Sequence, residues 1–514
     1  MNARRAAGAQ DKIRPLNDLA RTISELKAQG KRIVHCHGVF DLLHPGHIRH
    51  LAAAKCEGDV LVVTITPDHL VNKGPGRPVF TGELRAETLA SLQQVDFVAV
   101  NKWPTAVETI NLLKPDVYVK GNDYADRKED LTGKINDEEA ALLAVGGRIH
   151  FTNDITFSSS KLLNTYLSVF PPQVDAYLQD FRKRHSAREI INFIEAFKSL
   201  KVMVIGEAIL DEYVYGDAIG KSAKEPILAM RYVWQEKHVG GSLAIANHLA
   251  DFCESVELVT YLGEKQSHED FIRENLKENV HPHFVYKSNS PTIVKRRFVE
   301  NYLVTKLLEI YEMDDELLSG REEETLNAIL EEQLPRCDLV IAADYGHGLI
   351  ARKTIDLLCE KAPFLAVNTQ INAANIGFHT LSRYPRANYA CVHEGEIRLD
   401  LRNRKGELRS LVEKLTERLR SDSVMVTQGK HGTLLYRPGE GFFECPALSV
   451  KVVDRVGAGD AVLALTSLCA AQHLPPDVIG FIGNMVGAAA VTVVGNRSSI
   501  DRVQLLKGID SILK

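Results

Sequence analysis

Short β-branched runs alternate with longer amphipathic stretches along this chain, and the pattern occurs in two successive series. In the first, strand-length runs at Ile33–Cys36, Val60–Thr66, Phe97–Val100, Val117–Lys120 and Arg148–Phe151 are separated by helical patterns near Ile48–Cys56, Leu84–Gln93, Ala106–Leu113 and Asp137–Val145. Strands spaced by a helix's worth of chain pair in parallel through crossovers. A helix over Ser159–Val169 is expected to close this unit. Pro171–Pro172 then breaks the rhythm, and Val174–Leu200 reads as a charged helical connector whose Arg182–His185 cluster forms a solvated face.

A second series opens at Val202–Ile205, and Val256–Tyr261, Leu339–Ala342, Phe364–Val367 and Val424–Thr427 continue the parallel pattern to the end. Alternating runs at Ile227–Val233 and Ile293–Val299 predict a small β flap inserted early. The expected fold is α/β with two domains, residues 17–168 and 200–514, joined by a helical linker over 169–199.

A chain of 514 residues is too long for one small binding module. With 62 basic against 67 acidic residues, the net charge of -5 offers no broad basic surface, so nucleic-acid binding is not expected. Eight cysteines without a C-x-x-C pair argue against a zinc site or disulfide framework and for a reducing cytoplasm. The stretch Met1–Pro15 has no apolar run behind it to act as a secretion signal. Val478–Gly495 carries Asn484 and four glycines and reads as a buried helix rather than a membrane span.

The densest local signal is Gly38-Val-Phe-Asp-Leu-Leu-His44-Pro-Gly-His47, between the first strand and a helix. Two histidines three residues apart at a helix start lie beside N–H groups that attract anions, which points to phosphate binding. Alternation along the strand accounts for His35 and His37, and they are given no role. The segment resembles the H-x-G-H signature of cytidylyltransferase-like nucleotidyltransferases. Lys55, Arg77-Pro78, Arg85, Val119-Lys-Gly-Asn-Asp-Tyr124 and Phe157-Ser-Ser-Ser-Lys161 extend the match over about residues 17–168. The resemblance implies a Rossmann-like fold and in-line attack of a substrate phosphate on the α-phosphorus of ATP or CTP, with Mg2+ or another divalent ion on the triphosphate. It implies His44 and His47 as catalytic phosphate ligands, Gly38 and Phe40 at the nucleotide, Lys55 neutralising phosphate or meeting the substrate phosphate, and Ser159 and Ser160 on the outer phosphates. Asp41 is expected to support the loop by hydrogen bonding, with action as a base the second alternative. No residue is assigned to a resident metal.

Near the other end stands Asp454-Arg-Val-Gly457-Ala-Gly459-Asp460, ahead of the apolar run Ala461–Ala471. Gly457 and Gly459 permit a tight turn that offers N–H groups to a transferring phosphoryl group, and Asp460 is placed to take a proton from an attacking hydroxyl. Residues 200–514 resemble the ribokinase-like sugar kinases of the PfkB family, through Gly206-Glu-Ala-Ile-Leu-Asp211, Gly240-Gly241 and Val426-Thr-Gln-Gly429-Lys-His-Gly432. That resemblance implies Asp211, Gly240 and Gly241 at the sugar and Gly429 and Gly432 at ATP.

The whole chain is similar to the bifunctional heptose-7-phosphate kinase and heptose-1-phosphate adenylyltransferase family of ADP-heptose synthesis, with the domain order swapped. Ala244, His347, Asn368, His393 and Arg455 depart from that family at sugar, metal and ATP positions. The leading expectation is a two-step enzyme that phosphorylates a sugar or sugar phosphate and then nucleotidylates it with release of pyrophosphate. The alternative is an active nucleotidyltransferase fused to a kinase-like domain that only binds ligand, regulates or mediates dimerisation. Expected partners are a nucleoside triphosphate, a sugar phosphate and a second copy of the chain, with no nucleic acid and no membrane.

Overall fold

The computed structural model describes residues 9–121, 134–152, 169–373 and 375–514. The expected helix over Ser159–Val169 therefore lies almost wholly outside the described residues. The chain divides into two compact units, Met1–Leu178 with Val503–Lys514, and Gln179–Arg502.

The first unit holds a five-stranded sheet in the order Phe97–Val100, Val60–Ile65, Ile33–Gly38, Val117–Gly121, Arg148–Thr152. Every pairing in it is parallel, as the sequence rhythm predicts. Val34, Cys36, Leu61, Val63, Val98 and Val119 pack with the helices into a closed apolar core. Chain order reverses between Ile33–Gly38 and Val117–Gly121. Such a switch point opens a crevice beyond the carboxyl ends of the strands, and Gly38–His47 emerges there.

The second unit holds nine strands in the order Val280–Pro291, Val256–Lys265, Val202–Gly206, Leu339–Asp344, Leu365–Thr369, Tyr389–His393, Ser423–Thr427, Thr433–Arg437 and Gly441–Cys445. Pairing is parallel through Ser423–Thr427. The last two strands run antiparallel, which corrects the expectation of a parallel pattern to the end. The cause is local, since the three residues between Arg437 and Gly441 are far too few for a crossover. The apolar run near the C-terminus forms the helix Pro476–Ala490, where Asn484 Nδ2 donates to Thr433 Oγ1 at 2.8 Å and Gly480 O at 2.8 Å. No described helix is long and apolar enough to cross a membrane.

The flap is larger than expected. It is a separate four-stranded sheet, ordered Thr305–Glu312, Ile293–Glu300, Ala208–Lys221, Leu228–Gly241. The connector is two helices, Pro172–Arg184 and Ala187–Ala196, divided where Ser186 and Glu189 form a capping box. Its basic cluster is not simply solvated: Arg184 and His185 both bind Asp477, and Phe181 stacks on Phe481 at 4.5 Å.

Candidate functional sites

In the first unit, Pro45 starts the helix Pro45–Lys55 and His44 is its N-cap. The His44 and His47 rings stack at 4.0 Å, and the edge of Phe40 meets His47 at 5.3 Å. Phe40 adopts φ 50, and a Cβ on Gly38 would lie 3.0 Å from its ring, so Gly38 and Phe40 shape this wall together. Asp41 accepts the backbone N–H groups of Val79 and Phe80, which ties two loops into one rim. Buried Arg85 fastens the same rim through the carbonyls of Val39, Thr66 and Phe80.

Burial, then the neighbouring His44 and Lys73, hold His47 down at about 3, and burial with Lys73 lowers His44. Both rings are therefore neutral near pH 7. Together with the helix N-terminus they form an anion-seeking pair without a fixed charge of their own. Lys73 supplies the nearby positive charge and was not singled out from the sequence, because a lone lysine in a glycine-rich loop carries no periodic signal. Lys55 has partners of its own. Its ammonium binds Asp96 and the Asp59 carbonyl at 2.6 Å, at the end of the helix Pro45–Lys55 opposite the histidine pair. Ser159 and Ser160 lie outside the described residues. His35 and His37 both hydrogen-bond Thr64 Oγ1, at 2.7 and 2.9 Å, and serve the interior of the sheet.

In the second unit two cavities, of about 580 and 640 Å3, share Gln370, Ile371, Val452, Arg455, Gly459 and Asp460 in their walls. Gly429 and Gly432 line the first, Asp211 and Gly241 the second. A side chain at Gly240 would put Cβ 2.2 Å from Asp211 Oδ2, and one at Gly457 would put it 2.0 Å from Asn496 Oδ1. Only glycine allows these approaches. Gly459 differs from the tight-turn role expected of it: it is helical and faces open space, so its missing side chain leaves room in the cavities.

Asp460 sits in the first turn of the helix Ala458–Ala471, and burial pushes its carboxyl up to about 7. Tyr345 donates its hydroxyl to Asp460 Oδ1 at 2.9 Å. Asp211 is paired with Arg297 and accepts from Asn496 Nδ2 at 3.3 Å. Lys295, Arg297 and Lys306 also line the second cavity. Lys295 is in parallel register with Asp211, and Arg297 lies two residues on, hence on the same face of the flap. The Lys-Arg-Arg run carried this signal in the sequence; its direction needed the register.

The five positions that the resemblance singled out occupy different local environments. His393 Nδ1 accepts the Gly395 N–H at 3.0 Å and so takes over as N-cap, while Glu396 completes the capping box. Burial lowers His347 to about 3, so a neutral ring stands there. Asn368 Nδ2 donates to the Cys391 carbonyl at 2.7 Å. Ala244 is buried within its helix. Arg455 lines both cavities.

Residues 199–502 match the family model for pfkB family carbohydrate kinases, and residues 35–160 match the cytidylyltransferase-like model. The chain belongs to the pfkB carbohydrate kinase family. Curated relatives named bifunctional protein HldE match both of these regions. The one from Methylobacillus flagellatus is 40% identical over 128 residues, 24% of this chain and 26% of the relative. The one from Koribacter versatilis is 26% identical over 316 residues, 60% of this chain and 63% of the relative. These matches span less than two thirds of either relative. The crystal structure of phosphofructokinase-2 from Escherichia coli in complex with potassium shares the pfkB fold, with a TM-score of 0.50 and 16% identity, covering 59% of this chain and 97% of that one.

Proposed function

We propose that this pfkB family chain is a two-step enzyme making a nucleotide-activated sugar. The second unit transfers the γ-phosphoryl group of ATP to the anomeric oxygen of a sugar or sugar phosphate. The first unit joins a nucleotidyl group from ATP or CTP to that new phosphate and releases pyrophosphate. The observation that carries this reading is the placement of Asp460 in the shared wall of two cavities, one lined by Asp211 and the other by Gly429 and Gly432. A base there stands between an acceptor and a donor. The cations Lys295, Arg297 and Lys306 favour an acceptor that already carries a phosphate.

Among the described residues no three His, Cys, Asp or Glu side chains gather as metal ligands. A divalent ion would arrive on the triphosphate and neutralise charge there. All eight cysteines are free thiols, in keeping with a cytoplasmic setting. The flap carries exposed Ile219, Tyr232, Trp234, Tyr302, Leu303 and Leu308, a concentration of apolar surface that a second copy of the chain would cover.

The test is ADP formation and pyrophosphate release by the purified chain over a panel of sugars, sugar phosphates and sugar 1-phosphates. ADP formation that depends on a sugar, together with pyrophosphate release that depends on a sugar 1-phosphate, is the expected result. Absence of either activity across the panel overturns the corresponding half. For the dimer, Leu308→Glu is expected to halve the mass measured by sedimentation, and an unchanged mass counts against that face.

A further inference from the structure

Asp460 has one side-chain hydrogen-bond partner among the described residues, the Tyr345 hydroxyl on Oδ1 at 2.9 Å. Tyr345 is 1% exposed and held from its own backbone. Its N–H donates to Glu207 Oε2 at 3.0 Å, and its carbonyl accepts from Asn372 at 2.8 Å and Asn375 at 2.9 Å. Glu207, itself fully buried, also accepts the His347 N–H at 2.9 Å, so one carboxylate anchors the loop that follows Leu339–Asp344. A phenylalanine would fill the same space. The hydroxyl is what this arrangement delivers to Asp460.

We propose that Tyr345 is a positioning residue for phosphoryl transfer: its hydroxyl fixes Asp460 by Oδ1 and leaves Oδ2 to accept the proton of the acceptor hydroxyl. This rests on the reading of Asp460 as the base. As the acceptor oxygen bonds to the γ-phosphorus, its proton passes to Oδ2, the bond from that phosphorus to the β,γ-bridging oxygen breaks, and ADP leaves. Tyr345 keeps its proton throughout, since burial and the adjoining Asp460 hold its hydroxyl well above the ordinary range.

Five other groups bear on this pair. Asp211 from the flap and Glu396 from the helix Glu394–Asp400 push the Asp460 carboxyl up, while Lys295 from the flap pulls it down. Glu207 acts on Tyr345, and Arg455 shares the cavity wall. Among the groups that hold Asp460 down, the Tyr345 hydroxyl is the strongest. A charge-assisted hydrogen bond of this kind favours the ionised carboxylate.

The experiment is Tyr345→Phe in the full chain, with sugar-dependent ADP formation followed from pH 5.5 to 9.5. The expected kcat at pH 7 falls about fivefold, KM for ATP stays within about twofold, and the acid limb of the kcat profile moves up by about one pH unit, so that the defect shrinks above pH 8. A purely structural role would give a loss that does not vary with pH. In parallel, 13C NMR of the aspartate carboxyls, with Asp460→Asn to assign the signal, reads the Asp460 titration without any turnover. An unmoved titration and acid limb in Tyr345→Phe overturn the inference. Full kinase activity in Asp460→Asn instead overturns the base assignment beneath it, and the NMR titration still decides whether Tyr345 acts on Asp460.

Discussion

The two candidate sites both lie at the mouths of helices, yet they manage charge in opposite ways. The first offers two stacked neutral imidazoles at an N-terminus, with Lys73 nearby. The second offers carboxylates, Asp211 and Asp460, among Lys295, Arg297 and Lys306. The chemistry proposed for each accounts for the difference. An attacking phosphate oxygen is already an anion, so the first site needs only to gather and orient charge. A sugar hydroxyl must lose a proton, and the second site supplies a carboxyl raised to about 7 to take it.

The sharpest way to break this contrast is Asp460→Asn. It is expected to lower sugar-dependent ADP formation by about two to four orders of magnitude, while pyrophosphate release from a supplied sugar 1-phosphate stays unchanged. An equal loss in both assays would mean that the sites do not work separately. His44→Ala and His47→Ala should show the mirror image, with pyrophosphate release down roughly a hundredfold and ADP formation retained.

Gly240→Ala sharpens the comparison on the acceptor side. Its Cβ would fall 2.2 Å from Asp211 Oδ2, so Asp211 must move. We expect KM for the acceptor to rise about tenfold, with KM for ATP little altered.

The pH profiles should separate as well. Asp460 must be ionised to act as a base and its carboxyl is raised, so phosphoryl transfer should climb as pH passes through about 7. His47, held at about 3, stays neutral over the same range, so nucleotidyl transfer should be nearly flat there. The smallest effect belongs to Lys55→Ala. The lysine is partly exposed and ion-paired with Asp96, so pyrophosphate release should change less than about twofold and stability by at most ~1 kcal/mol. A large loss of activity would return Lys55 to the phosphate site.

The first sheet was legible nearly strand by strand because each strand and its crossover are local, periodic patterns. The flap was legible only in part. Ala208–Lys221 is buried almost continuously over its first half and exposed only at its end, while Thr305–Glu312 is exposed nearly throughout, so neither strand shows the alternation of buried and exposed side chains that marks a half-buried strand. The final hairpin was missed because its turn, Pro438-Gly-Glu, is short and the rhythm before it suggested another crossover.

By itself the sequence determined the two α/β units, the helix-mouth histidines at 44 and 47 and the glycine turn before Asp460, since each is written within about ten consecutive residues whose conformations are set by near neighbours. Only tertiary structure decided which distant groups meet. Tyr345 reaches Asp460 across 115 residues, Asn496 reaches Asp211 across 285 and Lys55 reaches Asp96 across 41. These pairings depend on strand order, register and burial, which no short stretch of chain contains.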